Sequence, residues 1–290
     1  MIDLHLHTTA SDGRLTPAQL VARVAAAGVT TMSVTDHDTV ASIAEVTALA
    51  TPLGIRVVPG IEITAVDSGR DVHMLAYFID PTNPVLAAFL ERQRSLRVSR
   101  VRDIGARLAG LGLPVNLDDL FASALERPGS SIGRPQIARA LVAAGHVGSV
   151  QEAFEKLLGT GQPAFVPRTG PSPADVVHLV HEVGGIASMA HPAVTRRDDL
   201  IGPLAEQGLD AIEVYHSDHT PEDEREYLNL AIRHHLAVSG GSDFHGDDGG
   251  GKPSGLPGDK RARRSTLGVV ALPAEAFATL EARARARQVR

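Results

Sequence analysis

The stretch Ile2-Asp3-Leu4-His5-Leu6-His7 constrains this chain more than any other. Its strict alternation is the period of a β-strand. Residues i and i+2 of a strand share a face and stand about 6.6–6.8 Å apart. His5 and His7 therefore point the same way, and Leu4 and Leu6 point into apolar packing. Thr8, Thr9, Ser11 and Asp12-Gly13 follow at once, so the pair sits where the strand opens into a loop. That is the end at which α/β barrels carry their chemistry. An isolated His-x-His also fits two solvated or hydrogen-bonded histidines. What gives it weight is that later strands end in the same way.

Thr16-Pro17 opens a helix, with Thr as N-cap and Pro in the first turn, and Gly28 stops it. A β-rich run over Thr30–Thr35 ends in Asp36-His37-Asp38. A helix over Val40–Ala50 is broken by Pro52-Leu53-Gly54. Ile55–Ile63 reads as a strand with Glu62 near its end, and His73–Phe78 as another with His73 at its start. Units this short predict a parallel sheet or barrel with right-handed crossovers. From Leu86 to about Leu158 the periodicity is helical and no strand is read. The rhythm then resumes. Strands are expected at Pro163–Pro167, Ile186–Ala190, Ala211–Tyr215, Leu236–Ser239 and Leu267–Leu272, and helices at Pro173–Val183, Glu222–His235 and Pro273–Ala286. Three of these strands run into His191-Pro192, His216 and Gly241-Ser242-Asp243-Phe244-His245. The Gly/Pro/Asp-rich run Gly246–Lys260 reads as a mobile loop. The expected division is 1–85 and 161–290 for the α/β part, with 86–160 as a helical insertion.

Composition narrows the chemistry. The chain has 13 histidines but only 3% aromatic residues, and no cysteine, so a metal must be held by His, Asp and Glu. The formal net charge of −6 gives no global field drawing the chain to nucleic acid or anionic lipid. No secretory leader and no membrane-length apolar run is read, so a cytoplasmic protein without a stable protein partner is the expectation. His5, His7, Asp12, His37, Glu62, His73, His191, Asp243 and His245 all lie at or near strand ends. A closed barrel would bring them to one mouth, where such a crowd is costly without cations. Imidazole and carboxylate donors leave zinc, manganese and iron as occupants.

These residues, read in order as His5-Leu6-His7-Thr8, Thr35-Asp36-His37-Asp38, Gly60-Ile61-Glu62, His73, Ala190-His191-Pro192 and Gly241-Ser242-Asp243-Phe244-His245, resemble the motifs of the PHP (polymerase and histidinol phosphatase) superfamily. The resemblance spans the chain. Gly133-Arg134-Pro135 and Gly185-Ile186-Ala187 are most similar to its nucleoside bisphosphate phosphatase branch. It implies a distorted (β/α)7 TIM-like barrel with an inserted helical cap. It implies two to three divalent ions, Mn2+ first and Zn2+ or Fe2+ otherwise. His5, His7, Glu62 and Asp243 would hold one ion, which Glu62 bridges to a second on His73 and His191. Asp12, His37 and His245 would hold a third.

The implied reaction is hydrolysis of a nucleotide phosphate monoester, most of all the 3′-phosphate of nucleoside 3′,5′-bisphosphates. A metal-bound hydroxide would attack phosphorus in line. Asp243 belongs to that machinery, and His37 or His245 would otherwise serve as acid to the leaving oxygen, a role that competes with metal binding. Arg134 is the leading candidate for the second phosphate, since the guanidinium fork matches phosphate and the residue opens a helix. Arg196, Arg197, Gln136 and His216 are further candidates. Gln136 stands where relatives carry histidine, and Arg261, Arg263 and Arg264 could meet a longer substrate. Arg97 and Arg100 are expected to be ion-paired or solvated, and His146, His178, His181, His234 and His235 to be structural. A 5′-3′ exonuclease on short 5′-phosphorylated oligonucleotides would use the same site. Histidinol phosphatase, amidohydrolase and non-enzymatic metal-binding readings follow behind. No lysine is placed as the bridging ligand an amidohydrolase would use.

Overall fold

The computed structural model describes residues 1–125, 129–246 and 266–288. The expected mobile loop beyond Gly246, with Arg261, Arg263 and Arg264, lies outside the described residues. Strands β1 (Ile2–Leu6), β2 (Thr31–Val34) and β3 (Arg56–Val57) form a parallel sheet in that order. Strands β4 (Gly60–Asp67), β5 (Arg70–Tyr77), β6 (Ile186–Met189), β7 (Ala211–His216) and β8 (Ala237–Gly241) form a second, also in chain order. Isolated parallel bridges join the two sheets at Leu6–Phe244 and His37–Glu62. Strand pairing thus runs from β4 to β8, across to β1 and β2, and back from the end of β2 to β4.

The sheet is mixed, which corrects the all-parallel expectation. β4 pairs antiparallel with β5, and β5 antiparallel with β6. Ser68 (φ +49°) and Gly69 (φ +75°) form the two-residue turn between β4 and β5, and two successive positive φ values match the right-handed twist of a hairpin. Pro59 splits the expected Ile55–Ile63 strand. Two further expected strands are absent. The Phe165 and Val166 carbonyls, which a strand would pair, accept instead from Arg107 (2.5 Å) and Arg100 (2.9 Å). Gly268 at φ +84° breaks the extended run over 267–272.

Helices cover the sheets where the sequence places caps. Helix α1 (Pro17–Ala26) has a capping box between Thr16 and Gln19 and ends before Gly28 at φ +72°. With α2 (Ile43–Ala50) it covers the first sheet through Leu20, Val24, Val46 and Met32. Helix α3 (Pro84–Gly110) is 27 residues, about 40 Å long. Its first turns pack Leu86, Phe89 and Leu90 on the second sheet. Its later turns pack Val101, Ile104 and Leu108 with α4 (Leu117–Leu125), α5 (Arg134–Ala143) and α6 (Val150–Ala153), in an apolar cluster of their own. Then come α7 (Pro173–Glu182), the short α8 (Pro192–Thr195) and α9 (Ile201–Glu206), α10 (Pro221–Arg233) and α11 (Ala274–Gln288). Among the described residues no helix is long and apolar enough to cross a membrane.

Asp210 anchors α11 at the N-terminal ends of β6 and β7. Its carboxylate accepts from His181 (2.9 Å), the Ala187 amide (2.9 Å) and Arg287 (2.6 Å), and its carbonyl accepts from Arg283 (2.9 Å). Burial pushes this carboxyl up, but those donors outweigh it and leave it below the ordinary 3.8. Its contribution is therefore complete above that value and is lost as pH falls through the lower, folded pKa. Asp210→Asn should cost about 1–3 kcal/mol, read as a lower urea midpoint at pH 7.

Candidate metal centre

Glu62, 1% exposed on β4, is the hub. Its Oε2 lies 3.2 Å from His5 Nε2, 3.2 Å from His7 Nε2 and 3.1 Å from His37 Nδ1. Its Oε1 lies 2.8 Å from His73 Nδ1 and 3.1 Å from His191 Nε2. Asp243 Oδ1 stands 3.4 Å from His5 Nε2 and 3.2 Å from His7 Nε2. Asp12 reaches His245 Nε2 at 3.1 Å and His37 Nε2 at 3.8 Å. All nine side chains singled out in the sequence thus meet, with Glu62 and His73 reaching the cluster from inside β4 and β5 rather than from strand ends. Their donor atoms form overlapping groups, each within 4.8 Å: His5/His7/Glu62/Asp243, His37/Glu62/His73 and His7/Asp12/His37/His245.

The backbone is bent to bring them there. Asp38, His191 and Asp243 have φ of +51°, +28° and +54°, values that non-glycine residues adopt at a cost. The seam between β1 and β8 is equally tight. A Cβ on Gly241 would lie 2.3 Å from the His5 amide nitrogen, so only glycine lets β8 approach His5. Asp3 closes that seam by accepting from the Ser242 amide at 2.9 Å. Asp36, buried beneath, accepts from the Thr8 amide and hydroxyl (2.7 Å each) and from Ser11 Oγ (2.7 Å), which fixes the loop leading to Asp12.

Electrostatics and unmet hydrogen bonds together suit cations. Burial pushes the Glu62, Asp12 and Asp243 carboxyls up, yet the surrounding imidazoles hold all three well below the carboxylate range. Burial drives His37 down to about 3. His245 goes the other way: burial lowers it, but Asp12 and Asp243 together raise it to about 10. Both ring nitrogens of His7 and Nδ1 of His37 have no hydrogen-bond partner, although Glu62 Oε2 lies 3.2 Å from His7 Nε2 and 3.1 Å from His37 Nδ1. These atoms crowd one another at angles that suit no hydrogen bond. Nitrogen and oxygen lone pairs facing a shared space fit borderline or hard divalent ions.

One central residue escaped the sequence reading. Glu213, 0% exposed on β7, accepts from His5 Nδ1 (2.9 Å) and from the His191 amide (2.8 Å). It fixes the His5 tautomer, leaving Nε2 for the centre. A glutamate inside the apolar run Ala211–Tyr215 was the available signal. His216, expected near the substrate, lies buried behind Asp243, with Nε2 3.5 Å from Oδ2, and groups instead with His5 and Glu213. Glu213→Ala should weaken metal affinity about 10- to 100-fold, measured by isothermal titration, with Glu213→Gln recovering part of the loss.

The arginines divide. Arg134 lines the pocket over the centre, pairs with Asp71 Oδ2 at 3.0 Å and lies between the Phe154 and Phe165 rings, at 5.8 and 5.7 Å. Arg97 and Arg168, neither of them offered as a substrate contact by the sequence, line the same pocket. Arg97 is buried and ion-paired to Asp38, as expected for its charge. Arg168 reaches Asp38 at 3.4 Å, its Nε has no hydrogen-bond partner, and burial lowers it to about 9. Gln136 lines the pocket, but its amide is engaged with the Ser11 carbonyl (2.5 Å) and the Gly133 amide (2.9 Å). The structure does not bring Arg196 and Arg197 to this pocket. At Arg196 (φ +53°) the chain turns away, and Arg197 is committed to Asp67 (2.6 Å) and Asp199 (2.8 Å). Among the lysines only Lys156 is described, and it pairs with Glu152 rather than the centre.

The donor cluster is suited to a metal centre, and the proteins similar to this chain define it as a metal-dependent hydrolase of the phosphoesterase class. The PHP domain profile matches residues 3–106. The chain is 36% identical over 250 residues to a 5′-3′ exoribonuclease of Escherichia coli, covering 84% of each. It is 35% identical over 259 residues to a 3′,5′-nucleoside bisphosphate phosphatase of Chromobacterium violaceum, covering 88% of this chain and 90% of that one. Among solved structures it resembles a Bifidobacterium adolescentis protein assigned as a metal-dependent phosphoesterase, with TM-score 0.84 and 34% identity over 97% of this chain and 96% of that one. It also resembles a Chromobacterium violaceum protein described as an amidohydrolase with bound sulfate and no metal, with TM-score 0.78 and 33% identity over 95% and 99% of the two chains. The chain belongs to the PHP family.

Proposed function

We propose that this enzyme removes the 3′-phosphate of nucleoside 3′,5′-bisphosphates. The observation that carries the reading is the placement of Arg134 and Arg168 over the Glu62 centre, in one pocket with Asp12, His37 and His73. One phosphate would lie at the centre and the other on the guanidinium pair. His5, His7, Glu62 and Asp243 would hold one divalent ion, Glu62 with His73 and His191 a second, and Asp12, His37 and His245 a third; Mn2+ is the leading occupant, Zn2+ or Fe2+ the others. When bound, such ions neutralise phosphoryl oxygens and lower the pKa of water. The chain's own part is placement. Arg134 and Arg168 fix the second phosphate, and Glu213 fixes His5. His245, held beside Asp12 and Asp243, would donate a proton from Nε2 to the leaving oxygen where the third group is not engaged with an ion. The sheets, closed by their two bridges, are taken as the distorted (β/α)7 barrel, and residues 86–160 as its cap.

The test is product analysis after incubating adenosine 3′,5′-bisphosphate with the manganese-loaded chain. Release of phosphate with adenosine 5′-phosphate left behind, absent in Asp243→Asn, supports the reading. An untouched bisphosphate sinks it. The exonuclease reading would use the same centre on a diester and is favoured by the names of two similar proteins, in Escherichia coli and Haemophilus influenzae. Faster cleavage of a 5′-phosphorylated dinucleotide than of the bisphosphate would select it.

A further inference from the structure

The pocket over the centre is small, about 150 Å³. Sites that enclose an organic ligand usually offer about 300–1,000 Å³. It has room for phosphate groups and not for a nucleoside. Next to it lies a second cavity of about 660 Å³, between the Thr9–Gly13 loop, Ser130–Ile132, α4 and α5. Ser11, Ser131 and Gln136 are the wall the two share. A group bound to phosphorus at the centre has this cavity beside it.

Its lining is unmatched in one respect. Ser131 is 3% exposed, and its hydroxyl has no hydrogen-bond partner; the Ser130 hydroxyl is likewise buried and unpartnered. Leaving such a group unpaired costs about 1–3 kcal/mol, a cost that a ligand hydroxyl or ring nitrogen removes. Arg139, whose Nη1 donates to the Asp12 carbonyl at 3.2 Å, adds a cation on the same side. Leu120, Ala140 and Ala143 add apolar side chains to the lining. Unpartnered hydroxyl groups and small aliphatic residues in one lining match a sugar carrying a planar base.

We propose that this cavity is the nucleoside subsite, with Ser131 bonding the sugar or base and the α4–α5 face carrying the base. The proposal rests on the nucleotide reading of the centre. It makes Ser131, Leu120 and the Ala140–Ala143 face determinants of specificity for nucleotides over small phosphate esters.

The test compares kcat/KM of the manganese-loaded full chain for adenosine 3′,5′-bisphosphate and for phenyl phosphate. Ala143→Trp, on an exposed part of α5, and Ala140→Trp fill the cavity. Each should lower the ratio of the two kcat/KM values at least about tenfold, mainly through KM for the bisphosphate. Ser131→Ala should lower it less, in the same direction. If wild type cleaves the bisphosphate and neither tryptophan moves the ratio, the subsite is overturned and the nucleotide reading stands. If wild type leaves the bisphosphate intact, the nucleotide reading fails and takes the subsite with it.

Discussion

Glu62→Gln is expected to abolish hydrolysis, by at least about 10²-fold, and to lower the metal held by the chain while leaving it folded. Glutamine preserves the shape of the side chain. It removes a charge that five imidazoles share, with His5, His7 and His37 near one oxygen and His73 and His191 near the other. An amide cannot serve as a bridging anion, and its nitrogen would face ring nitrogens at about the same distances. Circular dichroism and bound manganese would be read together. Loss of metal with unchanged dichroism is the expected pair of results.

Asp38→Ala is expected to be the most destabilising single change, by about 3–5 kcal/mol. The carboxylate is fully buried, ion-paired to Arg97, 3.4 Å from Arg168, and accepts from the Thr64 amide at 2.9 Å. Removing it leaves two buried guanidiniums with too little counter-charge. It also places alanine at φ +51°, where aspartate is better tolerated. Burial pushes Asp38 up, but Arg97 and Arg168 reverse this and leave it below the ordinary 3.8. Its stabilisation is thus complete above that value and is lost as pH falls through the lower folded pKa. The urea midpoints of wild type and Asp38→Ala should therefore differ widely at pH 7, and the gap should narrow as pH falls below 3.8. A loss under 1 kcal/mol at pH 7 would show that the cluster carries little of the stability.

Most of the nine clustered residues were legible because strand ends are; Glu62 and His73, expected at strand ends, lie inside β4 and β5. His5 and His7 share a face by the period of the strand, and loops at strand ends show their polar residues in sequence. Glu213 was hidden because a glutamate inside a strand reads as a solvated charge, and only the fold shows it 0% exposed behind His5. Arg168 was hidden because its segment, bounded by prolines, reads as a strand or loop of no consequence. Its role depends on Asp38, 130 residues away in sequence. Arg197 misled through closeness in sequence: the left-handed turn at Arg196 carries it to Asp67. The antiparallel β4–β5 pair was missed because the short units around it pointed to a parallel sheet, and the two-residue turn at Ser68 and Gly69 was not read.

The measurement nearest to the central claim is the number of manganese ions held per chain after loading and removal of free metal, by elemental analysis against protein concentration. Overlapping donor groups, two of which share Glu62, should retain two to three ions in wild type and at least one fewer in Glu62→Gln. Wild type holding less than one ion, or the variant holding as many as wild type, would contradict the account.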